Sequence, residues 1–303
     1  MRRTTLLGTA LLTLAACSEA GTPLAPADDT GAEAALAVGS PLTGRILYTM
    51  WSSNGLELFI VNPDGTGLAS FASLAGNELQ PAWSWDNQWV AFLRPRADGA
   101  NLEHNELYVL DQNGGNGHWV TPSPLGVDLR DPAWSPDGTR ITLTTDNLAL
   151  LSIDVATGTV QTLPYTGGAP SYDPTGQLVV YSTGVQLQVA KADGSGLVSV
   201  IPAPSSHGLQ YPKFSPDGKK IAFGAYNLRD DSDIWLVNAD GTGLVRLVGG
   251  PTLDTEPTWS PDGQTIAYAS NRKGRWELWR VPVAGGHRIK ITSTGGFAPA
   301  WTH

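Results

Sequence analysis

Cysteine is nearly absent from the chain: Cys17 is the one cysteine in 303 residues. No internal disulfide is available, so the fold must stand on packing alone. Long apolar runs are missing too, and the N-terminal one covers only residues 6–16, well short of the roughly 20 residues that cross a bilayer as a helix. Basic residues are scarce: 19 Lys plus Arg stand against 28 Asp plus Glu, a formal charge of −9. An acidic body without a basic patch argues against nucleic acid and anionic lipid surfaces as partners. The histidines, His104, His118, His207, His287 and His303, are dispersed, and no metal cluster or cofactor is expected from them. The common catalytic signatures are absent as well. The chain has no Gly-x-Ser-x-Gly, no His-Glu-x-x-His and no Gly-Lys-Ser/Thr, so no catalytic residue is assigned.

What is abundant is punctuation and aromatics, with 35 Gly, 22 Pro and 11 Trp. They fall into a repeat. Pro257-Thr258-Trp259-Ser260-Pro261-Asp262-Gly263 returns as Pro81-Ala82-Trp83, Pro132-Ala133-Trp134, Pro170-Ser171-Tyr172, Pro212-Lys213-Phe214 and a final Pro299-Ala300-Trp301. Successive prolines are 51, 38, 42, 45 and 42 residues apart, the period of propeller blades. Ser-Pro-Asp-Gly suits a tight turn, with Pro presetting φ at the second position and Gly free of a Cβ clash at the fourth. The aromatic is expected to end a short strand that begins at the Pro, and Ile266-Ala267-Tyr268 to form the next strand. Third strands follow at 56–61, 106–110, 148–153, 185–189, 233–237 and 277–281, each ahead of a Gly turn such as Asp64-Gly65 or Asp240-Gly241.

The arithmetic of strands predicts closure. Residues 45–74 supply three strands but no Pro-x-aromatic strand, whereas the chain stops just after Pro299-Ala300-Trp301. The expected fold is therefore an all-β, six-bladed β-propeller over residues 44–303 with four-stranded blades, the C-terminal strand completing the first blade.

Ahead of the repeats, Met1-Arg2-Arg3 and the short apolar run read as an export signal over residues 1–16. Leu14-Ala15-Ala16-Cys17 resembles the bacterial lipoprotein cleavage box, which implies lipidation of Cys17 and a membrane attachment through it. Residues 17–43, rich in Ala, Gly, Pro, Asp and Glu, read as a flexible tether. Removal of residues 1–16 takes two arginines and no acid, so the remaining body is more acidic still.

The pattern Pro-x-Trp-Ser-Pro-Asp-Gly-x-x-Ile-Ala-Tyr, followed by Ala269-Ser270-Asn271-Arg272 and Glu277-Leu278-Trp279, resembles the WD40-like (PD40) repeat of the TolB family of bacterial periplasmic propellers. The likeness covers residues 44–303, and Asp254-Thr255-Glu256-Pro257 is similar to the lead-in of that family's repeats. TolB carries a separate α/β domain before its propeller, and residues 18–42 are too short to hold one. The resemblance implies a place in the bacterial cell envelope and an envelope protein or peptide as partner, with Arg272 paired to the acid of a neighbouring blade. It leaves function open, because such blades serve many roles.

The expected binding surface is the set of residues leading into each first strand, where the loops of a propeller meet its central opening. These are Glu78 and Gln80, Arg130 and Asp131, His207, Gln210 and Tyr211, and Asp254 and Glu256, with Ala169 and Ala298 as bland counterparts. The mixture is polar and mostly acidic, suited to a basic peptide segment, a chain terminus or a cation. Two readings follow: a non-catalytic binding scaffold, or a hydrolase or lyase acting on an envelope glycan or peptide. Three further stretches are candidates. Residues 227–233 are rich in Asp and Asn, a set of oxygen ligands for a hard cation or a plain solvated loop. The insert at 94–105 lengthens the second blade. Trp51, Trp85, Trp89, Trp119 and Trp276 lie outside the repeat positions, as sugar-stacking platforms or as inter-blade packing.

Overall fold

The structure, a computed structural model, describes residues 42–72, 74, 76–97, 103–204, 208–227 and 231–303. Cys17 and the signal and tether segments, His207, and residues 228–230 of the Asp-rich loop lie outside the described residues.

Alternating apolar stretches and glycine turns fold into antiparallel hairpins that build one sheet after another. In the first blade, β1 (Ile46–Ser52), β2 (Gly55–Val61) and β3 (Ala69–Ala72) are consecutive. The second holds β4 (Leu79–Trp83), β5 (Trp89–Ala97), β6 (Glu103–Asp111) and β7 (His118–Trp119), and the third β8 (Leu129–Trp134), β9 (Arg140–Thr145), β10 (Ala149–Asp154) and β11 (Val160–Thr166). The fourth consists of β12 (Gly168–Tyr172), β13 (Leu178–Ser182), β14 (Gln186–Lys191) and β15 (Leu197–Pro202). The fifth has β16 (Gly208–Phe214), β17 (Lys220–Tyr226), β18 (Ser232–Asn238) and β19 (Val245–Val248), and the sixth β20 (Asp254–Trp259), β21 (Thr265–Ser270), β22 (Glu277–Pro282) and β23 (Ile289–Lys290). The last strand, β24 (Phe297–Trp301), returns to the first blade, whose order is β24-β1-β2-β3, with Ile46 opposite Trp301 and Leu47 opposite Ala300. The fold is the six-bladed propeller, and the tail closes it as the strand arithmetic requires.

The core is divided among the blade interfaces. Between the first and second blades, Leu47, Leu58 and Ile60 meet Trp83, Val90 and Phe92. Between the fifth and sixth, Ile234 and Val248 meet Trp259 and Tyr268. The repeat aromatics also bind across these seams through the indole N–H. Trp134 Nε1 donates to the Ala82 carbonyl at 3.1 Å and Trp259 Nε1 to the Lys213 carbonyl at 3.0 Å, whereas Trp301 Nε1 donates to the Thr43 carbonyl at 3.0 Å, just ahead of β1 in its own blade. Each of these three indoles thus removes apolar area from water while its own buried donor is paired.

Each Ser-Pro-Asp-Gly turn is closed by its own side chains. The Ser260 hydroxyl donates to Asp262 at 2.6 Å and accepts from the Thr265 N–H at 2.9 Å, while the Gly263 N–H reaches the Ser260 carbonyl at 2.9 Å. Gly263 sits at φ 67°, a region open to glycine. The second blade places Asn87 there instead, at φ 56°, a residue that tolerates the left-handed region.

The innermost strands begin earlier than the prolines. They start at Leu79, Leu129, Gly168, Gly208, Asp254 and Phe297, and each registers a bulge around the Pro. A bulge leaves one N–H outside the ladder, so a residue with no N–H fits there without loss.

Candidate functional site

The residue before each of these prolines is the one the bulge turns out of the sheet. Gln80, Asp131, Ala169, Tyr211, Glu256 and Ala298 all have φ between 50° and 54°. Six non-glycine residues, one per blade, are held in the left-handed region, which costs on the order of 1 kcal/mol each. Five of them, together with Lys213, line a narrow cavity in the channel: Gln80, Asp131, Tyr211, Glu256 and Ala298. The bulge therefore carries a ring of side chains at the waist of the propeller.

The ring is partly tied together. Gln80 Nε2 donates to Asp131 Oδ1 at 2.6 Å, and the Asp131 N–H donates back to Gln80 Oε1 at 3.0 Å. The Ala169 N–H donates to the Asp131 carboxylate, and the Ala298 N–H to Glu256 Oε2 at 2.6 Å. Side chains from one blade thus satisfy bulged N–H groups of the next, a structural duty that accounts for part of the ring's polarity.

Its electrostatics are those of charges enclosed by protein. Burial pushes the Asp131 carboxyl up, against the pull of Lys213 and Arg130. Burial, helped by the Asp131 charge, pushes Glu256 up to about 7, although the Ala298 N–H and Lys213 oppose it. The Lys213 ammonium is driven down by burial and pulled back by Asp131 and Glu256. Tyr211 is driven up by burial and by both carboxylates. Lys213 keeps partial exposure because it faces the lumen, though protein surrounds it. Two acids and one base share the waist, so one negative charge is left over when all are ionised.

The channel opens on two sides. Toward the turns, a cavity of about 110 Å³ runs from Lys213 past Trp134, Tyr172 and Trp259 to His303, and the His303 ring stacks on Trp85 at 4.3 Å. Toward the strand starts, a cavity of about 300 Å³ is lined by Trp51, Gln210, Tyr211, Tyr226, Thr255, Glu256, Trp276 and Phe297. Trp51 is 70% exposed there. Gln210 Nε2 donates to Thr255 Oγ1 at 2.9 Å.

Of the residues expected at the channel, the structure brings Gln80, Asp131, Tyr211 and Glu256 to its waist and Gln210 to its mouth. Glu78 is elsewhere. It is fully buried, accepting from the Leu58 N–H at 3.1 Å and the Leu74 N–H at 2.8 Å, and so joins the first two blades. Asp254 is also fully buried, beneath Arg272, whose guanidinium donates to both carboxylate oxygens at 3.2 and 3.3 Å and lies over the Trp279 ring. That pair lies within one blade, not between neighbours, because Asp254 and Arg272 flank the same β20–β21 pairing. Arg130 is exposed, beside Asp131. His207 lies outside the described residues.

The other candidates separate in the same way. The insert extends strand pairing to Ala97 opposite Glu103, and Arg94 and Arg96 both lie over the Trp119 ring. Trp85, Trp89 and Trp119 are therefore engaged in ring contacts, Trp89 with His118. Trp51 and Trp276 converge on the channel mouth. Of the Asp-rich loop, Asp233 accepts from Arg246 at 3.3 Å and from the Gly250 N–H at 3.2 Å. Among the described residues, no group of three or more His, Cys, Asp or Glu is placed to hold a metal. Lys213 went unmarked in the sequence. Its signal was there: it is the one charged residue at the middle of a Pro-x-aromatic triplet, where the other blades have Ala, Ser or Thr.

Six four-stranded blades around a waist of bulged polar residues define a closed six-bladed propeller with a constricted channel. More particularly, the propeller is TolB-like: residues 203–302 match the family model of the TolB beta propeller domain, PD40. The structure of TolB from Acinetobacter baumannii superposes with a TM-score of 0.73 at 24% identity, covering 86% of this chain and 67% of that one. In sequence, the protein Atu1656 of Agrobacterium fabrum is 28% identical over 194 residues, 57% of this chain and 64% of its own length. Dipeptidyl-peptidase 5 of Porphyromonas gingivalis is 25% identical over 271 residues, 78% of this chain but 37% of its own length. The chain thus spans less than two thirds of either curated relative.

Proposed function

We propose that this chain is a non-catalytic binding propeller of the bacterial cell envelope, anchored through a lipid on Cys17, which receives a protein or peptide partner at the strand-start mouth of its channel. The observation that carries the reading is the convergence of Asp131 and Glu256, with their surplus negative charge, beneath an aromatic mouth. Charge at the floor and rings at the rim suit a partner's basic or terminal segment. The TolB-like fold supports an envelope setting, and the sequence around Cys17 supports the anchor.

Partner capture tests it. Asp131→Asn with Glu256→Gln in the full chain keeps shape and removes charge; crosslinking in intact envelopes, read by mass spectrometry, is expected to lose the partners that the unaltered protein captures. An unchanged set of captured proteins refutes this mouth as the binding site. For the anchor, Cys17→Ser is expected to shift the protein from the membrane to the soluble fraction, and fractionation that leaves it membrane-bound contradicts lipidation there.

One observation favours a second reading, hydrolysis or elimination on an envelope glycan or peptide: a carboxyl near 7 beside a second acid and a lysine is in the range of a general base. Turnover of a glycan or peptide panel by the purified chain, lost in Glu256→Gln, would favour it over the scaffold.

A further inference from the structure

Three adjacent blades build the strand-start mouth, and what they contribute is unusual in its balance. The first blade supplies Trp51 and Phe297, the fifth Tyr211 and Tyr226, the sixth Glu256 and Trp276. Five aromatic rings and a single charged group therefore line one cavity of about 300 Å³. Trp51 is 70% exposed and Tyr226 36% exposed, large rings left in water at the rim where binding sites place them. Of the neutral polar groups in the same wall, the Gln210 amide donates to the Thr255 hydroxyl at 2.9 Å, and the Tyr211 and Tyr226 hydroxyls complete the set.

That composition discriminates among ligands. A sugar could meet the ring faces and the phenol hydroxyls, but it carries no charge and would cover Glu256 without neutralising it. A bare divalent cation needs several oxygen ligands, and the wall offers one carboxylate. A neutral apolar group would cover Glu256 and leave the waist's surplus negative charge unmatched. An organic cation satisfies both halves, since ring faces attract a positive charge and the carboxylate neutralises it.

We propose that this mouth is a receptor for an alkylammonium group, held by Trp51, Tyr226 and Trp276 around its carbons and by Glu256 at its charge. The inference rests on the binding reading above and gives the partner's chemistry. A lysine side chain and a free chain N-terminus both carry such a group. Lys213 lies in the waist beneath Glu256 rather than in the mouth, so it leaves the aromatic wall to the ligand.

The test uses the full chain, titrated with small probes and followed by tryptophan fluorescence and calorimetry. Choline is compared with 3,3-dimethylbutan-1-ol, which has the same shape and no charge. Nα-acetyl-lysine amide carries its cation on the side chain only, and alanine amide at the α-amine only; whichever binds more tightly names the source. Choline and at least one amine are expected to bind, with the neutral alcohol at least about tenfold weaker. Trp51→Ala and Glu256→Gln are each expected to weaken the cations by about tenfold or more, while Trp85→Ala, at the opposite mouth, leaves them unchanged. Trp51 is exposed at a hairpin end, so its replacement is expected to leave the melting temperature unaltered. Equal affinity for choline and the alcohol, no binding of any cation, or undiminished binding by folded Trp51→Ala overturns the inference. Partner capture that persists without ammonium binding overturns it and leaves the binding reading standing; ammonium binding with no partner captured does the reverse.

Discussion

Glu256 shows how one residue can be shaped by its position in the chain and by surroundings the chain does not reveal. The proline after it and the bulge it occupies turn its side chain into the lumen, and burial there raises its carboxyl from 4.5 to about 7. A carboxyl raised on folding holds its proton in the native state where the unfolded chain has released it. Stability therefore falls as pH rises through the window from 4.5 to 7, and the loss is complete above it. Glu256→Gln keeps an acceptor for the Ala298 N–H and removes the ionisation. The variant is expected to match the parent at pH 4 and to exceed it by about 1 to 3 kcal/mol at pH 8, as read from urea unfolding at the two values. An equal effect at both would contradict the burial of this charge. At this scale the candidate site was partly legible: the residues leading into the first strands included those of the waist, but the same criterion admitted Glu78 and Asp254, which the fold places against the Leu58 and Leu74 amides and Arg272. Both stand three residues ahead of the proline, outside the bulge, whereas Glu256 stands directly before it.

At the scale of the element, the hairpin turns carry the most explicit local instruction. Ser260 both donates to Asp262 and accepts from Thr265, so Ser260→Ala opens the turn at two points. A loss of about 1 to 2 kcal/mol is expected, seen as a lower denaturant midpoint with unchanged slope. The turn could be read from Ser-Pro-Asp-Gly because its bonds are local. The strand before it was less readable. Its start lies three residues ahead of Pro257 because cross-strand pairing, invisible in a single segment, continues through the bulge. The described ends of the insert in the second blade are likewise strand, with Arg96 paired opposite His104.

The whole molecule depends on closure. β24 is the only strand linking the ends of the domain among the described residues, through Ile46 opposite Trp301, and Trp301 also bonds the Thr43 carbonyl. Deletion of residues 297–303 would expose the edges of β1 and strip the seam where Ile46 and Tyr48 meet Ala267 and Leu278. A large fall in melting temperature, with loss of cooperativity, is expected by calorimetry; an unaltered transition would mean that the ring does not rely on its tail. The amino-acid order alone determined the number of blades, their strands and the closing strand, since these follow from period, turn chemistry and alternation along the chain. The fold alone decided that Trp51, Tyr226, Trp276 and Glu256 share one cavity, that Lys213 stands beneath them and that Glu78 does not join them. Those are distances between residues up to 225 positions apart, set by how the blades are wound around the axis, and a linear pattern carries no measure of them.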